Sequence, residues 1–556
     1  MVNKSSFYLI IFFYLIFNSN KINAQNVDLN QIALQDINRV ESLLDTTYIS
    51  NSFTIRNSTL YQNFDKASWK KFKVTGFGFG YQHQDNSNLP FGYNDGNMIS
   101  SAGAQHLYST QFNLQWGRLT LQIAPEKVIA DNKYFERLPY NFDGSQNGNA
   151  FWRRYYEISE NVIENPARVE TSMSDHNFLG QSSLKFNTKH ISFGVSNESL
   201  WWGPGIFNSL VLTNNAQPFF HFTINTNKPI NTKIGNFEGQ IIGGNLVNAN
   251  VGPTNNDNPF AAQYYIAKPD LDRYITGMII SLEPRITPNF YIGFANMAYM
   301  YKKDMNGLED ITPFSNFSKF TELKKRPALG SVFIRYAMPK DHAEIYLEYG
   351  RNDRGATPIN IFADSIPTGY VGGVRKLFPL GLNGKNGAIS FNIEVTRLEL
   401  MNPNQIFNNS LTAKRKSWYT NNQVTQGYTN NGQILGSYVG PGSTSQTIQL
   451  AWVKGLKKIG FGIERVSHNK DFYYYNYYNG LLYPGPNFKY WADLVYNISL
   501  RWTIGDVIIA ADYKSAESYN YMWTKTGNGG LFGPSDTDKK NIQINLSFKY
   551  LISRKF

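Results

Sequence analysis

The 556-residue chain has no cysteine. Disulfide frameworks, thiolate zinc sites, iron–sulfur clusters and thiol nucleophiles are therefore excluded, and so is the acylated cysteine of a bacterial lipoprotein. Charge is sparse, with only 17% Asp, Glu, Lys and Arg. After the first apolar block no run approaches the roughly 20 apolar residues that a helical span requires, so any further crossing of a bilayer has to use strands. No repeat of solenoid or propeller period occurs. Catalytic signatures are missing too: there is no GxSxG elbow, HExxH pair, P-loop or dinucleotide fingerprint. The seven histidines are scattered, and Asn255-Asn256-Asp257-Asn258 lacks the spacing of a calcium loop. The sequence thus predicts no catalytic residue, no metal site, no cofactor and no nucleic-acid partner, and it disfavours an enzyme.

Aromatic residues, by contrast, reach 15% and the formal charge is +12. At the N-terminus Lys4 precedes the apolar block FYLIIFFYLIF (7–17), and a polar stretch ends at Ala24. Eleven apolar residues suit a cleavable signal peptide, so residues 1–24 are expected to be removed, lowering the charge by two. Leu29, Ile32, Ala33, Ile37, Val40 and Leu44 then recur at helical spacing. Beyond them the pattern is alternation. In 541–556 Ile542, Ile544, Leu546, Phe548, Tyr550 and Ile552 interleave with Gln543, Asn545, Ser547 and Lys549. Residues 490–504 and 343–349 repeat the pattern, which is that of strands with one apolar face.

Eighteen strands are predicted, near 69–82, 106–116, 118–125, 181–187, 190–198, 219–226, 236–248, 273–284, 288–300, 327–338, 341–351, 367–377, 386–399, 444–454, 458–468, 489–504, 506–514 and 539–556. Tight turns such as Trp116-Gly117 and Gly505-Asp506 alternate with long polar connections rich in Asn, Gly, Ser and Tyr. Short turns on one rim and long loops on the other are the plan of a transmembrane antiparallel β-barrel rather than of soluble sandwiches. The expected organisation is all-β. A helical segment in 25–68 sits at the periplasmic mouth, a barrel spans 69–556, both termini are periplasmic, and the loops are extracellular. Trp116, Trp452, Tyr490, Trp491 and Trp502 suit interfacial girdles. Glu344, Glu348 and Glu394 fall on the lumen side, where ordinary barrel filling accounts for them.

The sharpest local feature is Trp201-Trp202-Gly203-Pro204-Gly205, followed by Asn214-Asn215. Paired indoles on a rigid turn, with amides beside them, could stack on sugar rings. They could equally brace a loop against the barrel wall, in which case their N–H groups need partners. At this stretch the chain resembles the capsule assembly protein Wzi family. The resemblance is carried by Leu138-Pro139-Tyr140, Phe151-Trp152 with Tyr155-Tyr156, Gly180-Gln181-Ser182-Ser183, Phe193-Gly194-Val195-Ser196, the Trp201–Gly205 run, Asn214-Asn215-Ala216, His221-Phe222-Thr223-Ile224, Lys228-Pro229, Gly235-Asn236-Phe237-Glu238 and Ile242-Gly243-Gly244.

It implies an eighteen-stranded outer-membrane barrel closed by N-terminal helices, acting as a non-catalytic lectin that holds capsular or related polysaccharide on the cell surface. Candidate sugar contacts are Trp152, Arg153, Arg154, Trp201, Trp202, Asn214 and Asn215, with Gly203, Pro204 and Gly205 as the motif turn. The basic chain suits an acidic polymer. Arg153, Arg154, Lys302, Lys303, Lys324, Lys325, Lys414, Arg415 and Lys416 are the loop cations available for it. The expected partners are that polymer and outer-membrane lipid, with the protein a monomer. The rival reading is a porin for small or sugar solutes, because eighteen strands enclose an aqueous channel unless plugged. A surface hydrolase is a third possibility.

Overall fold

In the computed structural model the described residues are 31–44, 69, 72–135, 148–168, 173–253, 259–314, 326–352, 367–381, 384–400, 417–477, 490–523 and 538–552. The signal peptide expected over 1–24 lies outside them, as do Leu138-Pro139-Tyr140 and the cations Lys324, Lys325, Lys414, Arg415 and Lys416.

Eighteen antiparallel strands form one closed barrel, β1 (Phe72–Asn86), β2 (Gly103–Trp116), β3 (Leu119–Ile123 continuing as Glu126–Ala130), β4 (Ser174–Phe178 continuing as Ser183–Asn187), β5 (Ile191–Ser196), β6 (His221–Thr226), β7 (Gly235–Leu246), β8 (Arg273–Pro284) and β9 (Phe290–Tyr301). The second half is β10 (Ala328–Met338), β11 (Ala343–Asn352), β12 (Thr368–Pro379), β13 (Ala388–Arg397), β14 (Thr444–Lys454), β15 (Lys457–Ser467), β16 (Ala492–Ile504), β17 (Val507–Tyr519) and β18 (Lys539–Ile552). Each strand pairs with its sequence neighbours, and β18 closes on β1 with Phe77 opposite Ile552 and Asn86 opposite Gln543. Among the described residues only the outer half of β4, Ser174–Phe178, is paired on one side alone; elsewhere closure pairs each strand on both sides, the condition for backbone to cross hydrocarbon. The expected strands therefore correspond to the observed ones one for one. The difference lies at β3 and β4, whose outer halves (Glu126–Ala130 and Ser174–Phe178) were read as part of a loop. Pro125 and the Gly180 turn interrupt the alternation there.

The alternation resolves as expected. On β18 Ile542, Ile544, Leu546 and Phe548 are 40–47% exposed on the outer face, while Asn541 and Gln543 are buried inside. On β16 Tyr496, Ile498 and Leu500 point outward, and Asn497, Ser499 and Arg501 point inward. Trp116 and Trp502 stand near the short-turn rim, Trp502 6.1 Å from Trp452 in ring centroids. Tyr490 and Trp491 stand at the other rim, next to β16.

A helix, α1 (Gln31–Leu44), matches the expected amphipathic segment and lies inside the barrel against β12 and the β10–β11 turn. Its apolar side brings Val40 and Leu43 onto Tyr291, Leu377, Ala388 and Val453. Short helices α2 (Gly148–Tyr155), α3 (Pro259–Tyr264) and α4 (Lys470–Tyr477) sit on the long connections.

Replacing outward Ile498, at the middle of β16, with Arg is expected to lower barrel stability by about 2–4 kcal/mol in lipid. Urea titration in phospholipid vesicles checks this, and an unchanged midpoint would mean that this face does not meet hydrocarbon.

Candidate functional site

The long connection between β5 and β6 (197–220) turns into the barrel instead of away from it. Trp202 is fully buried, and its indole Nε1 donates to Gln240 Oε1 of β7 at 2.9 Å. Its backbone N–H donates to the Leu212 carbonyl at 2.9 Å, and the Ser209 hydroxyl donates to the Trp202 carbonyl. Gly203 has φ +149°, and a Cβ there would run into Ser209 and Glu348. A Cβ on Gly205 would occupy the place of the Asn208 carbonyl. The two glycines of the motif are thus demanded by close approach within the loop itself and, at Gly203, to Glu348 of the wall.

An inward loop carries N–H groups that no sheet ladder satisfies, and leaving them unpaired is costly. Wall carboxylates take that role. Glu394 of β13 accepts from the N–H groups of Ile206 (2.6 Å), Phe207 (3.2 Å) and Asn208 (2.8 Å), and from the Tyr346 hydroxyl (2.7 Å). Glu348 of β11 accepts from Leu210 N–H (3.1 Å) and lies 3.3 Å from the Ser209 hydroxyl oxygen. Charge-assisted bonds of this kind are roughly twice as strong as neutral ones.

From the opposite rim α1 reaches the same region. Arg39 pairs with Glu344 at 2.9 Å and donates through Nη1 to the Pro204 carbonyl at 2.7 Å, so helix and motif turn meet. Glu344 also receives Arg335 at 2.7 Å and lies 3.8 Å from Arg375, which pairs with Asp36. Burial pushes the Asp36 carboxyl up, but Arg375, Lys458 and Arg501 outweigh it and hold it well below the usual carboxylate range.

Two more connections complete the plug. From 87–102, Gly96 N–H donates to Asn214 O (2.9 Å) and Asn94 Nδ2 to Phe207 O (3.1 Å). From 417–443, the hydroxyls of Tyr419 and Tyr428 donate to the carbonyls of Leu210 (2.8 Å) and Val211 (2.9 Å). Tyr93 stacks on Tyr438 at 4.1 Å. Asn214 and Asn215 sit at the junction, donating to Asn94 O (2.8 Å) and Ile434 O (2.9 Å).

Above the plug, at the rim of long connections, lies an aromatic cluster. Trp152, Tyr156 and Phe472 are fully enclosed, with Phe151 and Trp523 almost so. Around it cations lie over tyrosine rings: Arg154 over Tyr475 (5.8 Å), Lys268 over Tyr265 (5.4 Å), and Lys470 and Arg465 over Tyr490 (5.2 and 5.8 Å). Arg153 is exposed, whereas Arg154 donates to the Asn476 carbonyl at 2.8 Å. Lys302 pairs with Asp272. Lys303 lies over Tyr301. At the root of α4, buried Asp471 accepts from Leu400 N–H (2.8 Å) and the Ser417 hydroxyl (2.5 Å), and burial pushes its carboxyl up to about 7.

The structure therefore divides the candidate residues. Trp152, Trp201 and Trp202 are buried, so their rings present no open face to a sugar, and Trp202 takes the bracing alternative. Asn214 and Asn215, with Gly203, Pro204 and Gly205, belong to the plug. Arg153 and Arg154 are at the rim. Sequence reasoning missed the half-exposed rim aromatics Tyr155, Tyr265, Tyr474, Tyr490 and Trp491 as a group. The clue was the density of aromatics in the long connections. It also read Glu344, Glu348 and Glu394 as filler, although they anchor the plug. Among the described residues no cluster of metal-ligating side chains occurs.

The model of the capsule assembly protein Wzi family matches residues 78–496. Among solved structures the chain is similar to Wzi of Escherichia coli, described as an outer-membrane protein involved in group 1 capsule assembly and a carbohydrate-binding β-barrel. That likeness has a TM-score of 0.55 at 11% identity, covering 96% of this chain and 99% of that one. It is also similar to OccAB4 of Acinetobacter baumannii, with a TM-score of 0.40, 8% identity, and 88% and 100% of the two chains covered. No curated protein matches by sequence.

Two outcomes follow from the ion network and the rim. A carboxyl held low in the folded state contributes stability that is complete above the ordinary Asp value of about 4 and disappears as pH falls through the depressed value. Conductance of the purified barrel in planar bilayers should accordingly stay low from neutral pH down to about pH 4. It should rise at neutral pH in the double variant Asp36→Asn, Arg39→Ala. A double variant as closed as the parent would show that α1 does not depend on these pairs. Asp471 has the opposite sign: its folded carboxyl keeps a proton that the unfolded one loses, so its contribution falls as pH rises from about 4 to 7 and is flat above. Hydrogen-exchange protection factors of residues 470–477 should fall over that window in the parent and stay level in Asp471→Asn. Parallel profiles would refute the assignment.

Proposed function

The chain belongs to the capsule assembly protein Wzi family, and from that membership we propose that it is a non-catalytic, lectin-like outer-membrane protein that attaches capsular or related polysaccharide to the surface of a Gram-negative cell. In this reading residues 1–24 are removed on export. The barrel stands as a monomer in outer-membrane lipid, its long connections face outward and both termini are periplasmic.

The observation that carries the reading is the filled lumen. Helix α1 from one rim and connections 87–102, 197–220 and 417–443 from the other interlock through Arg39, Glu348 and Glu394. That arrangement supports a surface role over passage of solutes and weighs against the porin alternative. The lumen carboxylates Glu344, Glu348 and Glu394 are already engaged by the plug. The rim supplies the contact chemistry. Half-exposed rings of Tyr155, Tyr265, Tyr474 and Tyr490 offer apolar planes for the C–H faces of sugars, and Arg153, Arg154, Lys268, Arg465 and Lys470 offer donors to hydroxyl and acidic groups. Each contact is weak, and a repeating polymer multiplies it, so avidity supplies the retention. An acidic polymer gains further from the basic chain through attraction that salt screens.

In a strain lacking the protein, cell-attached polysaccharide should fall and released polysaccharide rise at constant total. Complementation with Arg153→Ala, Arg154→Ala should restore attachment only in part. Binding of purified polymer to that variant should be weakened roughly two- to tenfold, as expected of one or two exposed charge contacts. An unchanged split between attached and released polymer in the deletion strain would remove the basis of the proposal.

A further inference from the structure

The plug does not fill the lumen evenly. It packs on β16–β18 through Phe91 as well as on β7–β13, yet leaves a cavity of about 250 Å³ lined from β1–β3 and β15–β18 and bounded on the plug side by Asn94–Asn97 and Asn214. We propose that this cavity is a binding site for one neutral sugar ring, separate from the rim and independent of the reading of the rim given above.

Three residues of its lining each hold one buried polar atom without a hydrogen-bond partner: Asn94 Oδ1, Asn214 Oδ1 and Ser499 Oγ. Asn214 is more than nine-tenths buried, and its Nδ2 is already spent on Asn94 O, so its free oxygen requires a donor. Buried acceptors of this kind are rare in folded proteins and call for a partner. On the same lining Lys458 and Arg501 stand directly opposite one another on β15 and β16, Arg501 two residues along β16 from Ser499, and Asp512 of β17 completes the group. Arg501 uses its Nε on the Leu456 carbonyl at 2.7 Å. The lining holds three cations (Lys458, Arg501, Lys549) and three carboxylates (Asp95, Glu126, Asp512), so its formal charge balances. A hydroxyl both donates and accepts. A ring bearing several hydroxyls therefore finds amide and carboxylate acceptors and ammonium and guanidinium donors around one cavity, whereas a free anion gains nothing from a balanced lining. The size admits a ligand of one ring and falls below the usual span of drug-sized pockets.

The test is saturation-transfer NMR on the full-length protein in detergent, with methyl glucoside, methyl galactoside, glucuronate and inorganic phosphate as probes. Ala510→Leu adds bulk into the cavity without removing a polar group, and Arg153→Ala serves as the rim control. Heat-modifiable gel migration confirms that each variant is folded. Transfer to a methyl glycoside in the parent and in Arg153→Ala, abolished in Ala510→Leu, is expected. Transfer kept in Ala510→Leu and lost in Arg153→Ala would place the sugar at the rim and overturn the proposal. No transfer to any glycoside, or displacement of the glycoside by phosphate, would overturn it too. If the deletion strain keeps an unchanged split between attached and released polymer while this transfer persists, the rim reading alone falls.

Discussion

A connection that folds into a barrel leaves its sheet behind, and the amides it carries inside must find acceptors on the wall. That constraint organises the whole interior of this protein. Glu348 and Glu394 supply acceptors for four amides, those of Ile206, Phe207, Asn208 and Leu210. Each carboxylate brought inside is itself expensive unless compensated. Glu394 is compensated by three amides and a tyrosine hydroxyl, and Glu344 by Arg39, Arg335 and Arg375. Wall and plug therefore satisfy each other. Deleting either partner leaves buried charge or buried amides without an answer.

The same logic explains what could be read in advance. Strand number, facing and pairing order were legible because alternation at period two is imposed on every strand by one apolar and one polar surroundings. Only the outer halves of β3 and β4 escaped, where Ser174-Asp175-His176-Asn177 carries no alternation. The direction of the long connections was not legible. Asn, Gly, Ser and Tyr suit a loop in solvent, and they suit equally a loop inside a polar lumen, so composition cannot tell inside from outside. Glu344, Glu348 and Glu394 were placed on the correct face, yet their role depends on partners 188 to 138 residues away for the loop, such as Ile206 and Leu210. The indole pair was legible as either a sugar platform or a brace, and Gln240 decides for the brace at Trp202.

With the lumen filled, the long-connection rim becomes a floor with contents of its own. Trp152, Tyr156 and Phe472 make a dry base. Partly exposed tyrosines and the cations above them ride on that base, and Asp471 pins the start of α4 beneath it. Rigid aromatic surfaces cost little conformational entropy on contact with a ligand, which matters when single contacts are weak. The rim and the lumen cavity thus differ in kind, one broad and multivalent, the other small and recessed.

The interlocked plug also dictates the order in which the chain can become native. Residues 197–220 are synthesised well before β11 and β13, the strands that hold their acceptors, and 417–443 come later still. Arg39 meets Pro204 across 165 residues and Glu344 across 305. No early fragment can hold these connections in their final place. The interior must condense together with the closing wall in a single late step of high contact order, a slow class of folding event.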